Sequence, residues 1–258
     1  MTDPDYQFLP YPRDRNAVVD AGRRAMRRHI IHGFFELDIT LPRQLIRQYQ
    51  EISGERLSFT AFIIACLAHA VEQHPMLHAY RDWRGRLVAF ADVDVVTLIE
   101  IEKGGVALPH VIRRANRHTA QEISAEIRSV QQDRTRSPQS AGLTRWGNYF
   151  PRFIRDLVTS FIIRNPHRFK QIAGTTIVTA VGMFASSSFW GINFLPWHTM
   201  GLVLGGMAQK PAGVAGEVVI REFLDVTLSI DHDIVDGAPA ARFAQTFKEL
   251  VESGYGLE

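Results

Sequence analysis

Residues Leu224 to Ile230 alternate apolar and polar, the period of two expected of a strand with one buried face, and His232 emerges at its end. It lies within Asp231-His232-Asp233-Ile234-Val235-Asp236-Gly237. Gly237-Ala238-Pro239 sets a helix entry, Phe243, Phe247, Leu250 and Val251 form a buried stripe, and Gly254 ends the helix. Asp236 thus falls on a tight strand-to-helix connection, four residues after the histidine. Imidazole takes and returns a proton near neutral pH at little cost, and it becomes an effective base once a hydrogen bond fixes its tautomer. Asp231, Asp233 and Asp236 lack the alternating acids and distal glutamate of a calcium loop. Neither His198 nor His110 stands at ligand spacing from His232, which argues against zinc. A structural aspartate on a turn beside a chance histidine stays open on these residues alone.

The rest of the chain supplies a frame for that segment. With 46% hydrophobic and 22% charged residues in 258, global disorder is excluded. A net charge of +2 gives no overall field pointing to nucleic acid. The single cysteine, Cys66, permits no internal disulfide and fits a reducing, cytoplasmic setting. The N-terminal MTDPDYQFLPYPRDR does not resemble a signal peptide. The apolar region from Val178 to Met207 is cut by Gly182, Asn193, Pro196 and His198, so no transmembrane segment is expected.

Helices are expected over Ala17 to His29, with Arg23, Arg24, Arg27 and Arg28 on a solvated face, and from Ser58 or Thr60 to Gln73. Thr119 and Glu122 form a capping box for a third. A fourth runs from Phe150 to Arg164, with a basic amphipathic character that suits packing on its own sheet or a neighbouring subunit, or else a membrane surface. Strands are expected at Phe34 to Thr40, around Val93 to Ile101, and at Thr175 to Val181, Met200 to Met207 and Glu217 to Ile230. Turns are expected at Gly104-Gly105 and Ala212 to Gly216, and a surface loop at Asp133 to Asn148. Irregular mixing of helices and strands favours an α+β sandwich.

Ser229-Ile230-Asp231-His232 through Ala241-Arg242-Phe243 resembles the signature of the dihydrolipoamide acyltransferase catalytic domain of 2-oxo acid dehydrogenase complexes, a fold similar to chloramphenicol acetyltransferase. The resemblance extends to Glu36-Leu37-Asp38-Ile39-Thr40, to Leu57 through Ala79, to Gly105 through Ala115 and to Gly174 through Phe184, roughly Arg15 to Gly254 in all. It implies a mixed-sheet sandwich with helices on one side, and one catalytic domain over residues 1–258 with 1–14 as an N-terminal arm. It further implies His232 as general base, Thr179 as the hydroxyl that steadies the oxyanion, and Asp236 paired with an N-terminal arginine. Arg15 is the candidate for that arginine, with Arg13 close behind, and Gly237 supports the loop. The implied cosubstrate is coenzyme A as acyl-CoA, without a metal. The implied assembly is a homotrimer in which His232 of one chain faces Thr179 of its neighbour.

Departures from the family bear on the acceptor. No lipoyl or peripheral-subunit-binding domain precedes Arg15, so no covalently bound lipoyl group is expected on this chain. Phe189 to His198 is bulkier and more aromatic than the family's stretch, which makes Phe189, Trp197 and His198 candidates for contact with a small-molecule acceptor or a separate lipoyl domain. A non-catalytic trimeric scaffold descended from the same core is the alternative reading.

Overall fold

The computed structural model describes residues 6–12, 15–99, 108–133, 150–182 and 187–257. In chain order the elements are α1 (Arg15–Ala25), β1 (Ile30–Asp38), α2 (Thr40–Ser53), α3 (Phe59–Gln73), a short hairpin of β2 (Tyr80–Arg81) and β3 (Leu87–Val88), β4 (Val95–Ile99), β5 (Leu108–Ile112), α4 (Ala120–Gln132), α5 (Arg152–Ile163), α6 (Pro166–Ala173), β6 (Thr176–Ala180), β7 (Met200–Val214), β8 (Glu217–Asp231) and α7 (Gly237–Glu252). Six strands form one mixed sheet in the order β1-β8-β7-β6-β4-β5, with β6 parallel to both β4 and β7 and the other neighbours antiparallel.

Alternation along the strands gives the sheet two different faces. Val178, Leu202, Leu204, Val226 and Leu228 point to the helical side, where they join α3, α4 and α7 in one apolar core. The helix α3 is buried nearly all round, and it starts where the Ser58 hydroxyl accepts from the Ala61 N–H. The Thr119–Glu122 capping box opens α4 as the sequence predicts. On the opposite face Asp225, Thr227 and Ser229 are buried beneath the segment 187–198. The architecture is the α+β sandwich expected, with helices on one side.

Several expected boundaries move, each for a local reason. The β7–β8 ladder continues to Val214 opposite Glu217, so the connection is the two residues Ala215 and Gly216, with φ of 52° and 88°, not Ala212 to Gly216. That left-handed pair matches the twist of a tight hairpin. Thr40 begins α2 rather than ending β1, because the Asp38 carboxylate accepts from its N–H at 3.0 Å. Pro166 starts α6 instead of only limiting its predecessor, since Asn165 accepts from the His167 and Arg168 N–H groups.

The helix α5 does not pack on the sheet. None of its residues is buried, and Phe153, Leu157 and Phe161 stand 71%, 70% and 63% exposed. Arg13, the Gly104-Gly105 turn and residues 134–148 of the expected surface loop lie outside the described residues.

Candidate active site

The connection from β8 to α7 is built by the chain on both sides of it. The Asp231 N–H donates to the Thr199 carbonyl at 2.8 Å, and the His232 N–H donates to the His29 carbonyl at 2.8 Å. The N–H groups of Ile234 and Val235 return to the Asp231 carbonyl and close the turn. His232 therefore leaves the sheet at a fixed point, with its side chain half-exposed.

One guanidinium holds this turn to the rest of the fold. Arg28 follows the end of α1 and points inward, where it donates to the Leu195 carbonyl at 3.0 Å, to the His198 carbonyl at 2.8 Å and to the Asp231 carboxylate. The structure thus corrects the expected arginine: Arg28, not Arg15, secures the histidine loop, and its carboxylate is Asp231, not Asp236. Arg15 is exposed at the start of α1 and makes no ion pair among the described residues. Asp236 is the N-terminal cap residue of α7 but makes no capping bond. Its carboxylate is 82% exposed and stands 4.0 Å from the His232 ring. Gly237 begins α7 with open space where a Cβ would stand, so the single chain supplies no steric need for glycine there.

A second pair flanks the loop. The His29 ring and the Asp233 carboxylate meet at 2.9 Å, and this bond is the main cause that raises the His29 pKa and lowers that of Asp233. Since the His29 carbonyl receives the His232 N–H, the pair ties β1 to the turn that carries the histidine.

Thr179 lies near the other end of the same sheet. It sits opposite Val203 on β7, and Val203 sits opposite Thr227 on β8. Two strand spacings of about 4.8 Å and a run along β8 of about 3.3 Å per residue separate the Thr179 and His232 Cα atoms by roughly 19 Å. A base and an oxyanion donor must both lie about 3 Å from one reacting centre. These two residues cannot serve the same substrate within one chain. The Thr179 side chain is half-buried, and its hydroxyl has no partner among the described residues.

The aromatic segment spans both ends. Phe189 belongs to the Thr179 end: its N–H donates to Asp225 at 2.8 Å, and its carbonyl accepts from Gly206 at 2.8 Å. A Cβ on Gly206 would come within 2.0 Å of the Ser187 carbonyl oxygen, so glycine is what lets this segment lie on β7. Trp197 belongs to the His232 end, in the wall of a pocket beside Asp231 and Ile234, and its indole N–H is buried without an acceptor. His198 is not a substrate contact in this chain. It is buried, its ring bonds to the Ala173 carbonyl at 2.8 Å and packs edge-on to Phe169, and burial pulls its pKa down to about 4.

Two groups of functional weight escaped the sequence reading. Arg28 lies beyond α1, which ends at Ala25, and so leaves the solvated helix face that the arginine spacing predicts for it. Asp225, 1% exposed, accepts from the Ser188 hydroxyl, the Phe189 N–H and Lys210, which also binds Glu36. Asp225 stands at a polar position of the alternation, where the pattern reads as a solvent-facing side chain, so only the segment 187–198 lying over that face buries it. Among the described residues no group of three or more His, Cys, Asp or Glu side chains is placed to hold a metal ion, and no helix is long and apolar enough to cross a membrane.

The sequence profile of the 2-oxoacid dehydrogenases acyltransferase (catalytic domain) matches residues 28–140 and 163–257. The chain belongs to that family. Among its relatives, the acetyltransferase component of the pyruvate dehydrogenase complex of Rickettsia felis is 26% identical over 80% of this chain, and the succinyltransferase component of the 2-oxoglutarate dehydrogenase complex of Haemophilus influenzae is 24% identical over 85%. The chain spans 43% and 47% of their lengths, so it corresponds to one part of such proteins. A probable dihydrolipoamide acetyltransferase from Listeria monocytogenes superposes with a TM-score of 0.71 at 22% identity, covering 96% of this chain and 95% of that one. A chloramphenicol acetyltransferase superposes at 0.54 and 15% identity, covering 96% and 98%. The acyltransferase-family match takes in Arg28, β8, the His232 turn and α7, while all of α1 and almost all of α5 fall outside it.

Proposed function

We propose that this catalytic domain is an acyl-CoA-dependent acyltransferase that works as a homotrimer, each active site joining His232 of one subunit to Thr179 of the next. The observation that carries this reading is the separation of the two residues along the sheet, which leaves each as half of a site. His232 is half-exposed, and the Thr179 hydroxyl has no internal partner, so both are available to a second copy. A closed ring gives every His232 a Thr179, and a trimer is the ring that the family resemblance implies.

The chemistry follows from those two groups. The His232 imidazole takes the proton from the acceptor thiol, hydroxyl or amine as that atom attacks the thioester carbonyl carbon. The Thr179 hydroxyl donates to the oxygen on which negative charge develops, a bond commonly worth about 2.7–4 kcal/mol of barrier. When the intermediate collapses, the carbon–sulfur bond to CoA breaks and the imidazolium returns its proton to the departing thiolate. The acceptor is a small molecule or the lipoyl group of a separate domain, approached past the aromatic segment 189–198. We place the protein in the reducing cytoplasm, in keeping with its one buried, unpaired cysteine.

Mixing two inactive variants tests the reading. His232→Ala and Thr179→Ala homo-oligomers, each without thiol release from acetyl-CoA in the presence of dihydrolipoamide or a panel of alcohols and amines, are unfolded together and refolded. Hybrids regain release if the site is shared, because some boundaries receive both intact residues. No recovery, with hybrids demonstrated by mass spectrometry, overturns the shared site. No release by the wild type with any acceptor overturns the enzyme and leaves a scaffold.

A further inference from the structure

Beside the histidine turn, but not including His232, α1, α5 and the segment around Trp197 enclose a pocket of about 490 Å³, within the size range of small-molecule sites. Six arginines and four aspartates line it. The aspartates are already matched. Asp231 is bound by Arg28, Asp233 by His29 at 2.9 Å, Asp156 by Arg152 at 3.4 Å, and Asp20 by Arg155 at 2.7 Å.

What remains is a surplus of donors. Arg27 has no side-chain partner among the described residues, Arg81 has no hydrogen-bonded one and meets only the longer-range charge of Asp233, and Arg24 donates only to the Ser160 hydroxyl at 3.3 Å. Trp197 adds an aromatic wall and an indole N–H without an acceptor. Guanidinium forks that lack a carboxylate suit phosphoryl oxygens, which accept several N–H bonds at once, and an indole face suits a planar ring.

We infer that this pocket is a binding site for a ligand carrying more than one phosphoryl group, held by Arg24, Arg27 and Arg81 against Trp197. Part of its lining lies outside the residues that the family profile matches, since Arg24 and Arg27 precede residue 28 and Ser160 lies between the two matched segments, whereas Arg81 and Trp197 fall within them. The inference is independent of acyl transfer, since no catalytic residue lines the pocket. Such a ligand has two sources, the nucleotide end of acyl-CoA or a separate phosphorylated molecule.

Calorimetry on the full chain at low salt, with inorganic pyrophosphate, adenosine 3′,5′-bisphosphate and CoA as probes, tests the site. Pyrophosphate and the bisphosphate are expected to bind the wild type and to bind Arg27→Ala/Arg81→Ala at least tenfold more weakly. Arg56→Ala/Arg128→Ala, which removes the same charge elsewhere, should bind like the wild type. Arg27, Arg56 and Arg81 are exposed and Arg128 is half-buried, and unchanged melting temperatures would show that all variants fold. Competition between CoA and the bisphosphate assigns the pocket to the donor, while their simultaneous binding assigns it to a separate phosphorylated ligand. Absence of binding by both phosphate probes, or equal weakening in the two double variants, overturns the inference. Bisphosphate binding without any CoA binding would sustain the pocket and sink the acyltransferase reading.

Discussion

The Arg28 guanidinium reaches the Asp231 carboxylate and, through its other donors, the Leu195 and His198 carbonyls, so one side chain fixes the histidine turn and the aromatic segment together. Both partners are largely buried, with side chains 17% and 7% exposed. Removing one charge leaves the other uncompensated, at a cost of about 3–5 kcal/mol. Arg28→Met should lower the melting temperature and the activity together. Arg28→Lys should recover only part of both, because an ammonium cannot span the carboxylate and two carbonyls. Thermal unfolding and initial rates on the two variants check this, and a lysine variant equal to wild type would count against the clamp.

At the other end of the sheet, Lys210 neutralises Asp225 and is itself held charged above its usual range, mainly by its bond to Glu36. Lys210→Met leaves a carboxylate that is 1% exposed with only the Ser188 hydroxyl and the Phe189 N–H as donors. The expected loss is about 3–5 kcal/mol by urea unfolding. Adding Asp225→Asn should return a large share of it, since the buried charge is then gone. If the double variant is no more stable than the single one, Lys210 does not act by compensating Asp225.

Much of this arrangement was readable in one dimension. Strict alternation from Leu224 to Ile230 named β8, and the helical stripe from Phe243 to Val251 named α7, so the exit point of His232 followed from local pattern. The Thr119–Glu122 box likewise needs only neighbours three residues apart. Arg28 was not readable, because its partner is decided by the register that sets Ile30 opposite Asp231. His198 and Trp197 looked alike as ring-bearing neighbours of a candidate channel. Burial separates them: one ring is satisfied inside the core, while the other faces a pocket. The exposed side of α5 follows a core-like apolar spacing, which cannot say whether the surface it meets belongs to the same chain.

Acid should expose two silent histidines. His78 and His198 are almost wholly buried, and burial is the largest cause holding both near pKa 4, against about 6.5 in the unfolded chain. Between those values the unfolded state binds more protons, so stability is lost as pH falls from 6.5 toward 4, on the order of 3 kcal/mol per group. Neither ring nitrogen of His78 makes a hydrogen bond of good geometry, the Phe90 backbone being the one group near enough to bond the ring weakly, so His78→Leu sacrifices at most one weak contact. The variant should match the wild type at pH 7 and fall less steeply below pH 6. Parallel pH profiles of melting temperature for the two proteins would refute this account.

The His29–Asp233 pair acts in the opposite sense at its upper limit. Its bond raises the His29 pKa, so its contribution is fully present below the unfolded histidine value and is lost as pH rises through the folded one. For Asp233 the folded value is depressed, so the contribution is lost as pH falls through that value. The pair therefore holds between the depressed Asp233 value and the raised His29 value and loosens outside that window. Both side chains are well exposed, so the effect belongs to the turn rather than to global stability. Asp233→Asn should bring the His29 titration, followed by NMR of its ring, back toward the ordinary histidine value. Amide exchange of His232, whose N–H rests on the His29 carbonyl, should quicken in the same variant. An unchanged His29 titration would show that Asp233 is not its partner in solution.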